Sequence, residues 1–197
     1  MIVSTGGIVM GKIKLILGAL ILLFGSMSAQ AAKLQIDYMM LEADLEGVEE
    51  FEPDAVQLKY INPVGPSTDI MAVFVFGISD DEIEEFDPFF GTVSLSVDLA
   101  TMFGVYGRAH ADLGANGQIF GQLGLVQLKY DLDAEISGLS GSESYDDTGV
   151  AFGFGASFGL SDQAALVIEY NQFPDVDVED IADIETTSLS VGFQMSF

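Results

Sequence analysis

His110 is the only histidine of the chain, so base-assisted chemistry at neutral pH has one natural place to sit. A hydrolase built on a nucleophile, a base and an orienting acid needs all three within hydrogen-bond reach. His110 is followed by Ala111 and Asp112 beside a short turn, and no neighbouring serine in its strand offers a nucleophile. It therefore reads as a structural histidine at a rim or in an interior, and no catalytic residue is assigned. Carboxylates are the other chemical resource, 31 of them, and two could pair for acid–base work. Nothing in their spacing singles out such a pair.

Metal binding has more support, because Asp131-x-Asp133-x-Glu135 and Asp175-x-Asp177-x-Glu179 each put three carboxylates on one face of an extended segment. Neither run is an EF-hand loop. Its sixth position is Ile136 or Asp180 instead of glycine, and its twelfth is Ser142 or Thr186 instead of glutamate. The plain reading is a solvated acidic rim, and the alternative is loose binding of Ca²⁺ or Mg²⁺. No resident cofactor is expected.

The elements that must carry these residues are strands. Runs with period-two alternation, separated by breakers, occur at 33–41, 55–62, 69–78, 92–110, 118–132, 149–160, 164–173 and 187–197. The last is the clearest. Leu189, Val191, Phe193, Met195 and Phe197 share one face, and Ser188, Ser190, Gly192, Gln194 and Ser196 share the other. The sixth repeats the device with Val150, Phe152, Phe154, Ala156, Phe158 and Leu160 against Ala151, Gly153, Gly155, Ser157 and Gly159. The second sets Val56, Leu58 and Tyr60 against Gln57 and Lys59, and the fourth sets Val93, Leu95, Val97 and Leu99 against Ser94, Ser96 and Asp98. The third is apolar on both faces, and the fifth is expected to change phase near Leu125-Val126, at a bulge.

Connections alternate along the chain. Residues 42–54, 79–91, 133–148 and 174–186 are long and acidic, whereas 63–68, 111–117 and 161–163 are short and carry Pro, Gly, Asn or Asp as tight turns require. Long outer loops and short periplasmic turns are the rhythm of an up-and-down membrane barrel, and eight is its smallest common strand number. The expected fold is thus all-β, an eight-stranded antiparallel up-and-down transmembrane β-barrel. Tyr60, Tyr106, Tyr130 and Tyr170 lie near strand ends, where an interfacial girdle would want them. A periplasmic or secreted sandwich is the structural alternative.

Residues 1–31 read as a secretory signal that is removed. Lys12 and Lys14 precede an apolar run from Leu15 to Phe24, and Ala29-Gln30-Ala31 is a small-x-small cleavage site. Met10 opens a more typical signal than Met1. A spanning helix needs about 20 apolar residues, which this run does not reach. Residues 32–197 would form the barrel, with Lys33, Lys59, Arg108 and Lys129 as their basic residues against 31 acidic ones, a formal charge of −27. Such a charge argues against nucleic acid as a partner. The absence of cysteine excludes disulfides.

The stretch Asp98 to Arg108 with Phe103-Gly104-Val105-Tyr106-Gly107, then Gln118-Ile119-Phe120-Gly121-Gln122-Leu123-Gly124-Leu125, Asp147 to Gly155, and Ala165-Leu166-Val167-Ile168-Glu169-Tyr170 resembles the small outer-membrane β-barrel family related to the OmpA-type transmembrane domain. The resemblance spans residues 32–197 and implies the outer membrane of a Gram-negative bacterium, with lipid and lipopolysaccharide as surroundings. It also implies that Val191, Phe193 and Phe197 are the signal read by the barrel-assembly machinery. No peptidoglycan-binding domain is expected to follow, so the tethering role of OmpA-type proteins is not implied.

On this fold Lys59, Asp98, Arg108 and Glu169 face the lumen, where a charge is unfavourable unless paired, so cross-lumen ion pairs are expected. Two readings follow: a plug holding the barrel in register, or a gate whose partners exchange to open a small solute path. Eight strands leave room for little more than side chains, which favours the plug. The expected function is a non-enzymatic integral barrel contributing to envelope structure, with a small gated pore for solutes as its functional variant. The alternative is a surface module whose four acidic loops bind cations, lipopolysaccharide or host surfaces.

Overall fold

A computed structural model describes residues 32–45, 50–79, 81–87, 91–136, 139–178 and 182–197. The expected signal, residues 1–31, lies outside the described residues. Eight strands make the barrel: β1 (Lys33–Leu45), β2 (Asp54–Gly65), β3 (Thr68–Gly77), β4 (Gly91–Leu113), β5 (Gly117–Ile136), β6 (Leu139–Gly159), β7 (Ala164–Gln172) and β8 (Ala182–Ser196). Each pairs antiparallel with the next, and β8 closes on β1 from Lys33↔Ser196 to Leu45↔Ile184. Closure leaves no sheet edge inside the barrel wall, the condition for a sheet to cross lipid. All eight expected strands are present.

The start of β1, the end of β8 and all three short turns lie at one end, which is the periplasmic end of such a barrel. Gly114 takes φ of +72° in the β4–β5 turn, a left-handed conformation that side chains resist. Pro63 sits where the β2–β3 register shifts, a place where a residue with no N–H is tolerated in a strand.

The far end differs from expectation, because much of the acidic sequence taken for loops is strand. Glu50–Phe51 pairs with β1, Asp81–Asp87 with β4 and Val176–Val178 with β8. β5 and β6 stay paired up to Ile136↔Leu139, so 133–148 is a hairpin extension. An established ladder propagates through backbone hydrogen bonds whatever its side chains are. Above the lipid both faces of such a strand are polar, as in Ser140-Gly141-Ser142-Glu143-Ser144, and the hydrophobic alternation that marks strands fades.

Face assignment holds for most strands. Leu189, Val191, Phe193, Met195 and Phe197 point outward, as do Val150, Phe152, Phe154 and Phe158 and, from β2, Leu58. Gln57 and Lys59, Ala151 and Ser157, and Ser188, Ser190 and Gln194 are buried within. β3 is apolar on both sides, with Met71, Val73 and Val75 inside and Phe74 and Phe76 outside. The phase change, however, is not in β5, where Phe120, Gln122, Val126, Leu128 and Tyr130 all face inward. It is in β4, where the register slips between Leu99 and Thr101 and Ala100 is the additional residue. Such a bulge puts both Leu99 and Met102 inside. Two of the expected girdle tyrosines, Tyr106 and Tyr130, are interior as well, whereas Tyr60 and Tyr170 are half-buried on the outer face. Gly124 makes room for Tyr106, since a Cβ there would lie 2.5 Å from the ring.

Candidate functional site

Strand alternation brings inward charges of four strands, with an amide from a fifth, together in the periplasmic half of the lumen. Glu169 of β7 is the hub. It accepts from Lys59 of β2, from Arg108 Nη2 of β4 at 3.2 Å, from Gln35 Nε2 of β1 at 3.0 Å and from Gln122 Nε2 of β5 at 3.5 Å. Lys59 Nζ also lies 3.5 Å from Asp37 Oδ2, and Gln35 Nε2 donates to the same carboxylate at 2.8 Å. Gln122 passes a 2.6 Å bond on to Asn171, and the Arg108 guanidinium stacks over the Phe120 ring at 4.1 Å. These charged side chains are at most 3% exposed. Burial at that level is tolerated because each ion faces an opposite charge and the carboxylates also accept hydrogen bonds from neutral amides.

Three of the four residues expected to pair across the lumen, Lys59, Arg108 and Glu169, do so. Asp98 does not. The Ala100 bulge turns it to the face opposite Leu99, half-buried, where its carboxylate lies close to Gly77. Its place is taken by Asp37, which the sequence reading missed although the signal was present: Leu34, Ile36, Tyr38 and Met40 alternate with Gln35, Asp37 and Met39.

Beyond the ion cluster, toward the extracellular end, the lumen becomes apolar. Met39, Leu41, Ala43, Phe51, Ala55, Val73, Val75, Leu99, Leu128, Tyr130, Phe173 and Ile184 are each at most 3% exposed and belong to one packed cluster. Tyr130 donates or accepts a 2.8 Å bond with Thr186 Oγ1, so its hydroxyl is satisfied within this layer. On the periplasmic side the lumen opens into a polar vestibule of about 560 Å³, lined among others by Lys33, Asp112, Gln118, Asp162 and Gln194. His110 stands nearby, with Nδ1 3.0 Å from Gln118 Nε2 and Nε2 3.7 Å from Asp69 Oδ2. Neither partner is a nucleophile.

A closed, lipid-collared barrel with an ion cluster inside invites comparison with known proteins. The family model described as outer membrane protein beta-barrel domain matches residues 17–197. The chain belongs to that family. As a member it resides in the outer membrane of a Gram-negative bacterium, and the apolar belt described above is its lipid contact. Among solved structures it is similar to Ail, the attachment invasion locus protein of Yersinia pestis, at 16% identity and TM-score 0.54, covering 85% of this chain and all of that one. It is similar also to Neisserial surface protein A, at 11% identity and TM-score 0.54, covering 84% and 97%. A further structure of Ail, in complex with the heparin analogue sucrose octasulfate, matches at 16% identity and TM-score 0.52, covering 85% and 100%. At these identities the likeness is one of fold. No curated protein sequence matches.

At the C-terminus, Val191 and Phe193 of β8 point into the lipid belt opposite Tyr38 and Ile36, and Phe197 is 70% exposed with its N–H donating to Ala32 O at 3.0 Å. The aromatic ring is thus presented while the backbone is fixed. The acidic runs fare differently. Asp131 is held by Lys129 Nζ at 2.9 Å and by Ser144 Oγ, contacts that keep its carboxyl below the usual aspartate range. Among the described residues no three histidine, aspartate or glutamate side chains gather as a metal site. The side chains of Glu135, Asp177 and Glu179 lie outside the described residues.

Proposed function

We propose that the protein is a non-enzymatic barrel of the outer membrane whose lumen is sealed, and that it acts through its wall and its exterior. The observation that carries this reading is the apolar layer from Met39 to Ile184 stacked above the buried ion cluster. Exchange of partners around Glu169 would loosen the cluster, yet an ion would still meet a packed, largely hydrophobic section with no charged side chain among its described residues to replace its hydration. The plug is therefore favoured over the gated pore.

Conductance of the purified barrel in planar bilayers tests this. The wild type and Glu169→Ala are both expected to be silent. Reproducible openings in either would return the pore reading.

A second reading, a surface binding module, is favoured by the acidic strand extensions. Glu42, Asp44, Glu52, Asp133, Glu143, Asp146, Asp147, Asp175 and Glu185 are exposed. Ail has been solved with a sulfated ligand. Residues 32–197, carrying −27, would repel such a polyanion, so any surface partner of this protein is cationic, or is lipopolysaccharide phosphate bridged by Ca²⁺ or Mg²⁺.

A further inference from the structure

One acidic group of the lumen is not used by the ion cluster. Asp69 lies on β3 across from Arg108 and is 2% exposed. Neither of its carboxylate oxygens has a hydrogen-bond partner among the described residues, and the same is true of Arg108 Nε. Three buried carboxylates, Asp37, Asp69 and Glu169, stand against two buried cations, Lys59 and Arg108. One negative charge is in excess. A buried carboxylate in this position is unfavourable until something positive or hydrogen-bond-donating meets it.

We propose that Asp69 and His110 hold a transition-metal ion of the class that imidazole binds, Zn²⁺ or Cu²⁺, with water filling the remaining coordination positions. His110 Nε2 is 3.7 Å from Asp69 Oδ2. Two ligands on a tetrahedral ion, with bonds of about 2.0–2.1 Å, lie about 3.4 Å apart, so a small side-chain rotation brings both to one ion. An imidazole nitrogen selects such ions over Ca²⁺ and Mg²⁺, which the all-oxygen exterior prefers.

The surroundings suit the assignment. With metal on Nε2 the ring proton sits on Nδ1, which faces the Gln118 amide at 3.0 Å. Turning that amide over, at the loss of the 3.2 Å bond that its Nε2 donates to Asp112 Oδ1, presents Oε1 as acceptor, the outer partner that ligating histidines use to fix tautomer and orientation. Gln118 also lines the vestibule, and the His110 side chain is 11% exposed, so an ion reaches the pair from the periplasm without crossing the apolar layer. Bound there, it would join β3 to β4 and more than offset the single excess negative charge.

The test uses the untagged full chain in detergent, with Cu²⁺ alone as the probe. Because His110 is the only histidine, electron spin-echo modulation from the remote nitrogen of a coordinated imidazole reports this site and no other. The expected result is one such Cu²⁺ per barrel. His110→Gln removes the modulation, Gln118→Ala weakens binding about tenfold, and Asp69→Asn weakens it at least as much, each with heat-modifiable migration retained. Wild-type protein that binds Cu²⁺ through oxygen alone overturns the proposal without recourse to any variant. So does imidazole-bound Cu²⁺ whose affinity is unchanged by Asp69→Asn.

Discussion

Replacing Glu169 by alanine should be the most damaging single truncation in the lumen. The carboxylate accepts from Lys59, Arg108, Gln35 and Gln122. Without it Lys59 keeps Asp37 at 3.5 Å, and Arg108 keeps one 3.4 Å bond to Gln122 Oε1. Two cations at most 3% exposed then keep only Asp37, which still holds Lys59, and Asp69, which lies across from Arg108 on β3 without a hydrogen bond to it. Breaking a buried pair in this way costs about 3–5 kcal/mol. At about 2 kcal/mol per molar urea the unfolding midpoint falls by about 2 M, measured by the loss of heat-modifiable migration in a urea series. Adding Lys59→Met to Glu169→Ala should recover part of the loss, because one of the stranded cations is removed. A drop under about 1 kcal/mol for Glu169→Ala would refute the reasoning. It would mean that the cluster is already hydrated and exchangeable, the condition a gate requires.

Other substitutions separate packing, titration and assembly. Gly124→Ala should cost about 1–3 kcal/mol by overpacking, since its Cβ meets Tyr106 at 2.5 Å, whereas Gly107→Ala meets nothing within 4 Å and should be close to neutral in the same urea series. Ser144→Ala should let the Asp131 carboxyl rise toward its ordinary value. The folded-state value is depressed, so the small stabilisation it brings is present above the unfolded value and lost as pH falls through the folded one. Acid unfolding of the wild type and of Ser144→Ala should therefore differ only above that acidic window. Deleting Phe197 should lower the yield of folded barrel in cells while leaving the urea midpoint of protein refolded in vitro nearly unchanged. A large fall in that midpoint would make the residue a structural one instead.

The strands were legible because a barrel wall writes itself as alternation. Lipid takes Leu189, Val191, Phe193 and Met195, and a narrow interior takes Ser188, Ser190 and Gly192, so period two is explicit there. Legibility failed where one residue was inserted. Ala100 shifts the face of everything before it, and no composition cue separates Asp98 facing in from Asp98 facing out. It failed again at the far end, where paired strands carry polar residues on both faces and resemble loops. Tyr106 and Tyr130 were misread because a tyrosine near a strand end suits an interface, while Gly104 and Gly124 beside Tyr106 signal instead that the interior must accommodate a ring. Asp69 was missed because its neighbours Arg108 and His110 come from β4, a relation that the strand register supplies.

The same extensions bear on how the exterior tolerates its charge. Flexible loops could spread their carboxylates apart, but a paired ladder holds neighbouring strands about 4.8 Å apart. Asp44 is registered against Glu185 on one side and Glu50 on the other, and Asp98 against Asp131. Like charges directly opposite on a sheet oppose its formation, and only Lys129 among the basic residues sits in this region, at 2.9 Å from Asp131. The ladder at this end should thus depend on counterions, and a divalent cation that bridges two strands should do more than a monovalent one that merely screens. Thermal unfolding should shift upward with millimolar Ca²⁺, and an equal shift with Na⁺ should need far higher concentrations. Asp44→Asn should raise stability in the absence of Ca²⁺ and reduce the Ca²⁺ response. Equal responses to the two ions at equal ionic strength would show that the carboxylates are merely screened, and that no bridging contact with Ca²⁺ or with lipopolysaccharide phosphate is built into the extensions.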